Sequence, residues 1–119
     1  MSVAGGKIKS FNLTLTQSNT PTNKSLADIE SFQGDYTELF KTLQPYIGKY
    51  GICMQRNNLW QIVTGGRSEV ECIIRALKAN ELFWANHWAF SASGGLHRFD
   101  LADSPKDKEW YESLYFLVS

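Results

Sequence analysis

Residues 83–90 read FWANHWAF, Phe83 to Phe90, and gather two tryptophans, two phenylalanines and one of the chain's two histidines into one run. As a strand, this run sends Trp84, Asn86, Trp88 and Phe90 to one side and Phe83, Ala85, His87 and Ala89 to the other. The tryptophan side demands burial, since sequestering one such ring is worth on the order of 2–3 kcal/mol. The other side carries Phe83 and His87 among small alanines. Covered by a second layer it is structural; left open it is a docking strip or a stacking platform.

The flanks extend this expectation. Gly94-Gly95 suits a two-residue hairpin turn with positive φ, which sets Phe90 opposite Phe99 and Trp88 opposite Leu101. A turn slipped to Ser93-Gly94 instead sets His87 opposite Asp100. Beyond it, SPKDKEWYESLYFLVS begins with Ser104 as N-cap and Pro105 at the first helical position, predicting a helix with Trp110, Leu114 and Leu117 on one face. A strand over 113–118 is the alternative. Upstream, Ser68 and Glu71 have capping-box spacing, and Val70, Ile73, Ile74 and Leu77 follow at helical intervals over 69–79. An alternating strand with Val70, Cys72, Ile74 and Ala76 on one face is the competing pattern.

Further upstream, Asp35 caps a helix whose face is Tyr36, Leu39, Phe40 and Leu43, with Pro45 ending it. Two β-prone segments near 50–56 and 59–64 flank Asn57-Asn58, a hairpin signature, and Gly65-Gly66 ends the second. Phe11, Leu13 and Leu15 alternate with polar residues and predict a first strand. Residues 1–6 read as a loose terminus and 17–34 as a mobile loop with room for a helical turn. The order is that of an α+β domain, an antiparallel sheet with two or three helices on one face. Its first six elements match the ferredoxin-like β-α-β-β-α-β plan, with a C-terminal extension.

At 119 residues the chain fits one domain with one core. Twelve basic and twelve acidic side chains cancel, so the clustered basic footprint of a duplex-binding protein is missing. Cys53 and Cys72 form no C-x-x-C pair, and with His87 and His97 they lack the short spacings of a structural zinc site. MSVAGGKIKS holds no apolar leader and no segment reaches membrane-spanning length, so the expected setting is cytoplasmic. No cofactor is implied.

Catalytic constellations are weakly supported. His87 with Asp100 or Cys72 is the pairing to consider, yet nothing orients a nucleophile beside either imidazole. GGRS, Gly65 to Ser68, precedes a helix and has Arg67 beside it, but it lacks the lysine of a P-loop. Gln61-Ile62-Val63-Thr64-Gly65 resembles the Q-x-V-x-G inhibitory hairpin of the cystatins, and Gly5-Gly6 is similar to their N-terminal glycine. That resemblance implies a wedge blocking papain-like proteases, although the helix over 69–79 stands where that family has a strand. Trp60 and Phe11, near Arg56, Lys7 and Lys9, suggest a single-stranded nucleic-acid platform as another alternative. The expectation that takes precedence is a small non-enzymatic interaction protein, a regulator or inhibitor. It would dock on a protein partner, or on a second copy, through an aromatic-lined surface containing Phe83, His87, Trp60, Arg56 and Trp110.

Overall fold

The computed structural model describes residues 11–102. The expected helix over 105–118, Trp110 and the loose terminus lie outside them. Four helices and a four-stranded antiparallel sheet follow in the order α1 (Asn23–Glu30), α2 (Tyr36–Tyr50), β1 (Ile52–Arg56), β2 (Leu59–Val63), α3 (Ser68–Ala79), α4 (Glu81–His87), β3 (Trp88–Ala92) and β4 (Leu96–Asp100). The class is α+β, as expected. The sheet order is β1-β2-β4-β3, so the ferredoxin-like arrangement is replaced by two helix pairs, each followed by a hairpin, joined between β2 and β4.

The ferredoxin-like plan fails at its first strand. Segment 11–16 folds back on 17–22 instead of joining the sheet, with a lone bridge between Leu15 and Pro21. Thr14 and Thr16 decide this. The Thr14 amide donates to Ser25 Oγ at 2.9 Å, the Thr14 hydroxyl meets those of Thr22 and Ser25, and Thr16 bonds Thr20 through backbone and hydroxyl alike. Hydroxyl side chains this dense satisfy the backbone locally and compete with a ladder. Thr22 then caps α1 through the Ser25 amide, which puts two helical turns inside the expected mobile loop.

In α2, Asp35 Oδ1 accepts from the Thr37 and Glu38 amides, as the capping pattern requires. Pro45 does not end the helix, which runs through it to Tyr50. The proline costs one backbone bond, while the next residues, Tyr46 and Ile47, are 7% and 0% exposed. Burying two large apolar side chains gains more than that bond loses.

The hairpin at Asn57 forms as the sequence indicates, with Asn57 at φ 57° and Arg56 paired to Leu59. Helix α3 buries Val70, Ile73, Ile74 and Leu77, so the strand alternative falls. Its N-cap is Arg67, whose side chain makes no capping bond. The Glu71 carboxylate, expected to close a capping box on Ser68, instead takes the Thr64 hydroxyl at 2.5 Å.

The largest departure is at 83–90. Asn80 ends α3 and caps α4 by accepting from the Phe83 amide at 3.2 Å, so residues 81–87 are helical and the strand starts only at Trp88. Helical spacing brings both Phe83 and Trp84 against Phe99, each at 5.6 Å between centroids. Strand alternation would have sent them to opposite sides. The following hairpin turns through three residues, Ser93 to Gly95, with Ala92 opposite Leu96 and an irregularity between Trp88 and Phe90. Trp88 therefore faces Phe99 and Phe90 faces Arg98, neither of them the expected partner. The core gathers Phe40, Trp60, Phe83 and Phe99, with Phe40 edge-on to both Trp60 and Phe99.

Candidate functional site

The residues chosen from sequence do not form one surface. Trp60 and Phe83 are 1% and 0% exposed and belong to the core; the open strip of Phe83 and His87 disappears with the strand that defined it. Trp60 and Phe11, at 1% and 8% exposure, offer no ring face on which a base can stack. Arg56 is exposed at the end of β1.

His87 ends α4, half-buried against Tyr36 and Phe83, with ring centroids 5.2 and 5.4 Å away. Its Nδ1 lies 2.8 Å from the backbone oxygen of Asp100. A carbonyl only accepts, so Nδ1 carries the proton and Nε2 the lone pair of the neutral ring. The histidine does reach Asp100, but through the main chain; the Asp100 carboxylate accepts from the Ala102 amide. A cleft of about 500 Å³ opens beside it, lined by Asp35, Tyr36, Thr37, Asn58, His87 and Leu101 among others. Two of its polar side chains serve the fold. Asp35 caps α2, and the Tyr36 hydroxyl donates to Phe32 O.

The second histidine is the one that sequence reasoning left aside. His97 Nδ1 and Ser91 Oγ are 2.8 Å apart, and Trp88 Nε1 donates to the same Ser91 oxygen at 2.7 Å. The indole occupies one lone pair of Ser91, and the remaining lone pair and the proton are both available to His97. These bonds hold the hairpin side chains in place. Trp84 stacks on Trp88 at 5.7 Å, four residues away, with Lys78 Nζ 6.0 Å from the Trp84 ring centre.

Burial lowers the His97 pKa below its ordinary 6.5; Lys78 adds to the shift and Glu71 opposes it. The unfolded chain therefore takes up the proton first as pH falls. The stability contributed by neutral His97 is complete above about 6.5 and is lost as pH descends through the lower folded value. The urea midpoint is accordingly expected to drop between about pH 7 and about pH 5, and His97→Gln to flatten that dependence. An equal slope in the variant refutes the assignment.

The thiols are poor nucleophiles. Burial pushes Cys53 up to about 11 and raises Cys72 as well, so both stay protonated near neutrality. Among the described residues no group of three His, Cys, Asp or Glu side chains is placed to hold a metal ion. No described helix is long and apolar enough to cross a membrane. At GGRS the anion-cradle geometry is used internally: the Gly66 amide donates to Thr64 Oγ1, the Val70 and Glu71 amides donate to Arg67 O, and Arg67 pairs with Glu69.

Gln61, Ile62 and Val63, which carry the cystatin-like motif, lie in β2 with β1 on one side and β4 on the other. Ile62 and Thr64 are 0% exposed. The motif is thus mid-sheet, and the hairpin tip of this strand is at Asn57-Asn58.

What remains is the sheet itself. The Cys53–Ile62–His97–Ser91 row and the Trp60–Phe99–Trp88 row lie on the helix side, where all four helices send side chains into one cluster. The opposite face carries Ile52–Val63–Leu96–Ala92, then Met54–Gln61–Arg98–Phe90, then Arg56–Leu59–Asp100. Among the described residues no helix packs there. Ile52 and Met54 are 48% and 54% exposed, and Arg98 Nε donates to Gln61 Oε1 at 2.8 Å in the middle row. No family model, curated protein or solved structure matches this chain.

Proposed function

We propose that the chain is a non-enzymatic interaction domain that docks on a protein partner, as a regulator or inhibitor, through the helix-free face of its sheet. The observation that carries this is the half-exposure of Ile52 and Met54, the first in a row continued by Val63 and Leu96, the second in a row that runs through Gln61 and Arg98 to Phe90. Contiguous apolar side chains on a rigid sheet mark a contact surface more often than isolated exposed residues do. The surface is more aliphatic than the sequence suggested, with Phe90 at one end and Arg56 at the other. Arg56 stays within the proposed surface, whereas Trp60 and Phe83 lie beneath it in the core.

The intact chain and its Met54→Glu variant, used as baits in extract from the native source, test this. A stoichiometric partner is expected on the parent chain and is expected to be lost from Met54→Glu. Leu82→Glu, which changes a 58% exposed leucine on α4, is expected to retain it. Capture that Met54→Glu leaves intact overturns the proposal. Labelled single-stranded oligonucleotides at low and high salt are expected not to bind; salt-sensitive binding would replace the proposal with the nucleic-acid alternative.

A further inference from the structure

Strand β1 is an edge strand among the described residues, and the ladder defines which of its backbone groups face outward. Thr64 N–H donates to Gly95 O and Leu101 N–H to Asn58 O, so the even-numbered residues of β2, Trp60 and Ile62, turn their amides and carbonyls toward β4. By alternation Leu59, Gln61 and Val63 turn toward β1 and engage Arg56, Met54 and Ile52, their register partners. Cys53 and Gln55 then present N–H and C=O to the outside. The bond from Gln44 Nε2 to Cys53 O at 3.3 Å agrees with this orientation.

The strand lacks the usual defences of an edge. ICMQR has no proline, no lysine and no bulge, and its one charge, Arg56, stands at the end. Its outward pattern is also self-complementary. A two-fold axis through Met54 sets Cys53 of one copy opposite Gln55 of the other, twice, with donors on acceptors in both pairs. Met54 then meets Met54 as a non-hydrogen-bonded pair, and Ile52 lies along the aliphatic stem of Arg56. Cys53 O has a second lone pair, so Gln44 need not let go. The formal net charge of zero leaves no global repulsion between identical chains.

We infer that β1 pairs antiparallel with β1 of a second copy of this chain, with Met54 on the two-fold axis, merging two four-stranded sheets into one of eight. The inference rests on the docking role proposed for this face and names its partner; the exposed Ile52 and Met54 of both copies become one continuous apolar surface.

The intact chain supplies the test. Light scattering is expected to give twice the 13.5 kDa of one chain. Gln55→Pro removes an amide that points away from β2 and so leaves the sheet intact, as circular dichroism will show. It is expected to weaken the dimer at least about tenfold, the equivalent of one well-formed hydrogen-bonded contact. In a Cys53→Ser, Cys72→Ser background, Met54→Cys brings the two-fold-related thiols within disulfide range, since Cα atoms of such a pair lie roughly 4.5 Å apart. Mild oxidation is expected to convert it to a covalent dimer, and the same background carrying Leu82→Cys is expected not to cross-link. A monomer at every concentration overturns the inference, as does a dimer that Gln55→Pro leaves unchanged and Met54→Cys fails to cross-link. A monomer that still captures another protein in a Met54-dependent manner sinks only the self-pairing. Loss of the docking role shows instead as Met54-independent capture.

Discussion

Asn80→Leu is expected to destabilise the fold by about 2–4 kcal/mol, the penalty for leaving several buried polar groups short of a partner. Asn80 is 6% exposed and joins three elements. Its Nδ2 donates to Ile29 O and Phe32 O, both at 3.0 Å, while Oδ1 accepts from the Phe83 amide at 3.2 Å. The first two bonds fasten the end of α1 to the junction of α3 and α4; the third starts α4. Both carbonyls keep another donor, Phe32 N–H for Ile29 and the Tyr36 hydroxyl for Phe32, so the heaviest loss falls on the Phe83 amide. Asn80→Asp separates capping from tethering. Aspartate caps a helix as well as asparagine does, but here its carboxylate would face two carbonyl oxygens in a buried site. Urea unfolding should therefore show Asn80→Asp at least as damaging as Asn80→Leu. A near-neutral Asn80→Asp would mean that only the cap matters.

The second large effect is expected at Gly95. Its φ is 78°, and a Cβ there would collide with the hydroxyl of Thr64. Thr64 has little room to retreat, being 0% exposed and bonded to Glu71 and to the Gly66 amide. The Thr64 amide in turn donates to Gly95 O at 3.0 Å. Gly95→Ala thus combines left-handed strain with overpacking, for a loss of about 2–4 kcal/mol. Gly94→Ala is the control. Its φ is 86° but nothing lies within 4 Å of the added carbon, so it should lose only the backbone strain, about 1–2 kcal/mol. Equal losses at the two positions would remove the contact with Thr64 from the explanation. Thr64→Ala should recover part of the Gly95→Ala loss, a coupling that a double-mutant cycle measures.

The candidate site was legible only in part. Arg56 lies on β1 as the sequence suggested, whereas His87, expected on a strand and opposite Asp100 only with a slipped turn, ends α4 and reaches the Asp100 backbone oxygen. Trp60 and Phe83 were expected on a surface because a two-fold alternation leaves half of any strand outside. Phe40 and Phe99 claim both rings instead. Ile52 and Met54 drew no attention in the sequence, since short apolar side chains in an edge strand look the same whether a layer covers them or not. The clue available was the β1 alternation itself, with Cys53 turned to the core and its two neighbours turned away.

Where the deciding interactions were local, the chain's own residues were enough. Asp35 with the amides two and three positions on, the four apolar residues of α3 at helical spacing, and Asn57 with its positive φ each form contacts within one or two turns of backbone. The remaining features depended on partners distant in sequence. Tyr46 and Ile47 carry a helix through Pro45 because a core awaits them; Thr14 leaves the sheet because Ser25 and Thr22 meet it first. The FWANHWAF run coils before it extends because only a helix brings Phe83 and Trp84 together onto Phe99. Backbone propensity at such positions differs by a few tenths of a kcal/mol, whereas burying one aromatic ring is worth on the order of 2–3 kcal/mol. Tertiary burial outweighs local preference there, and it made the choice.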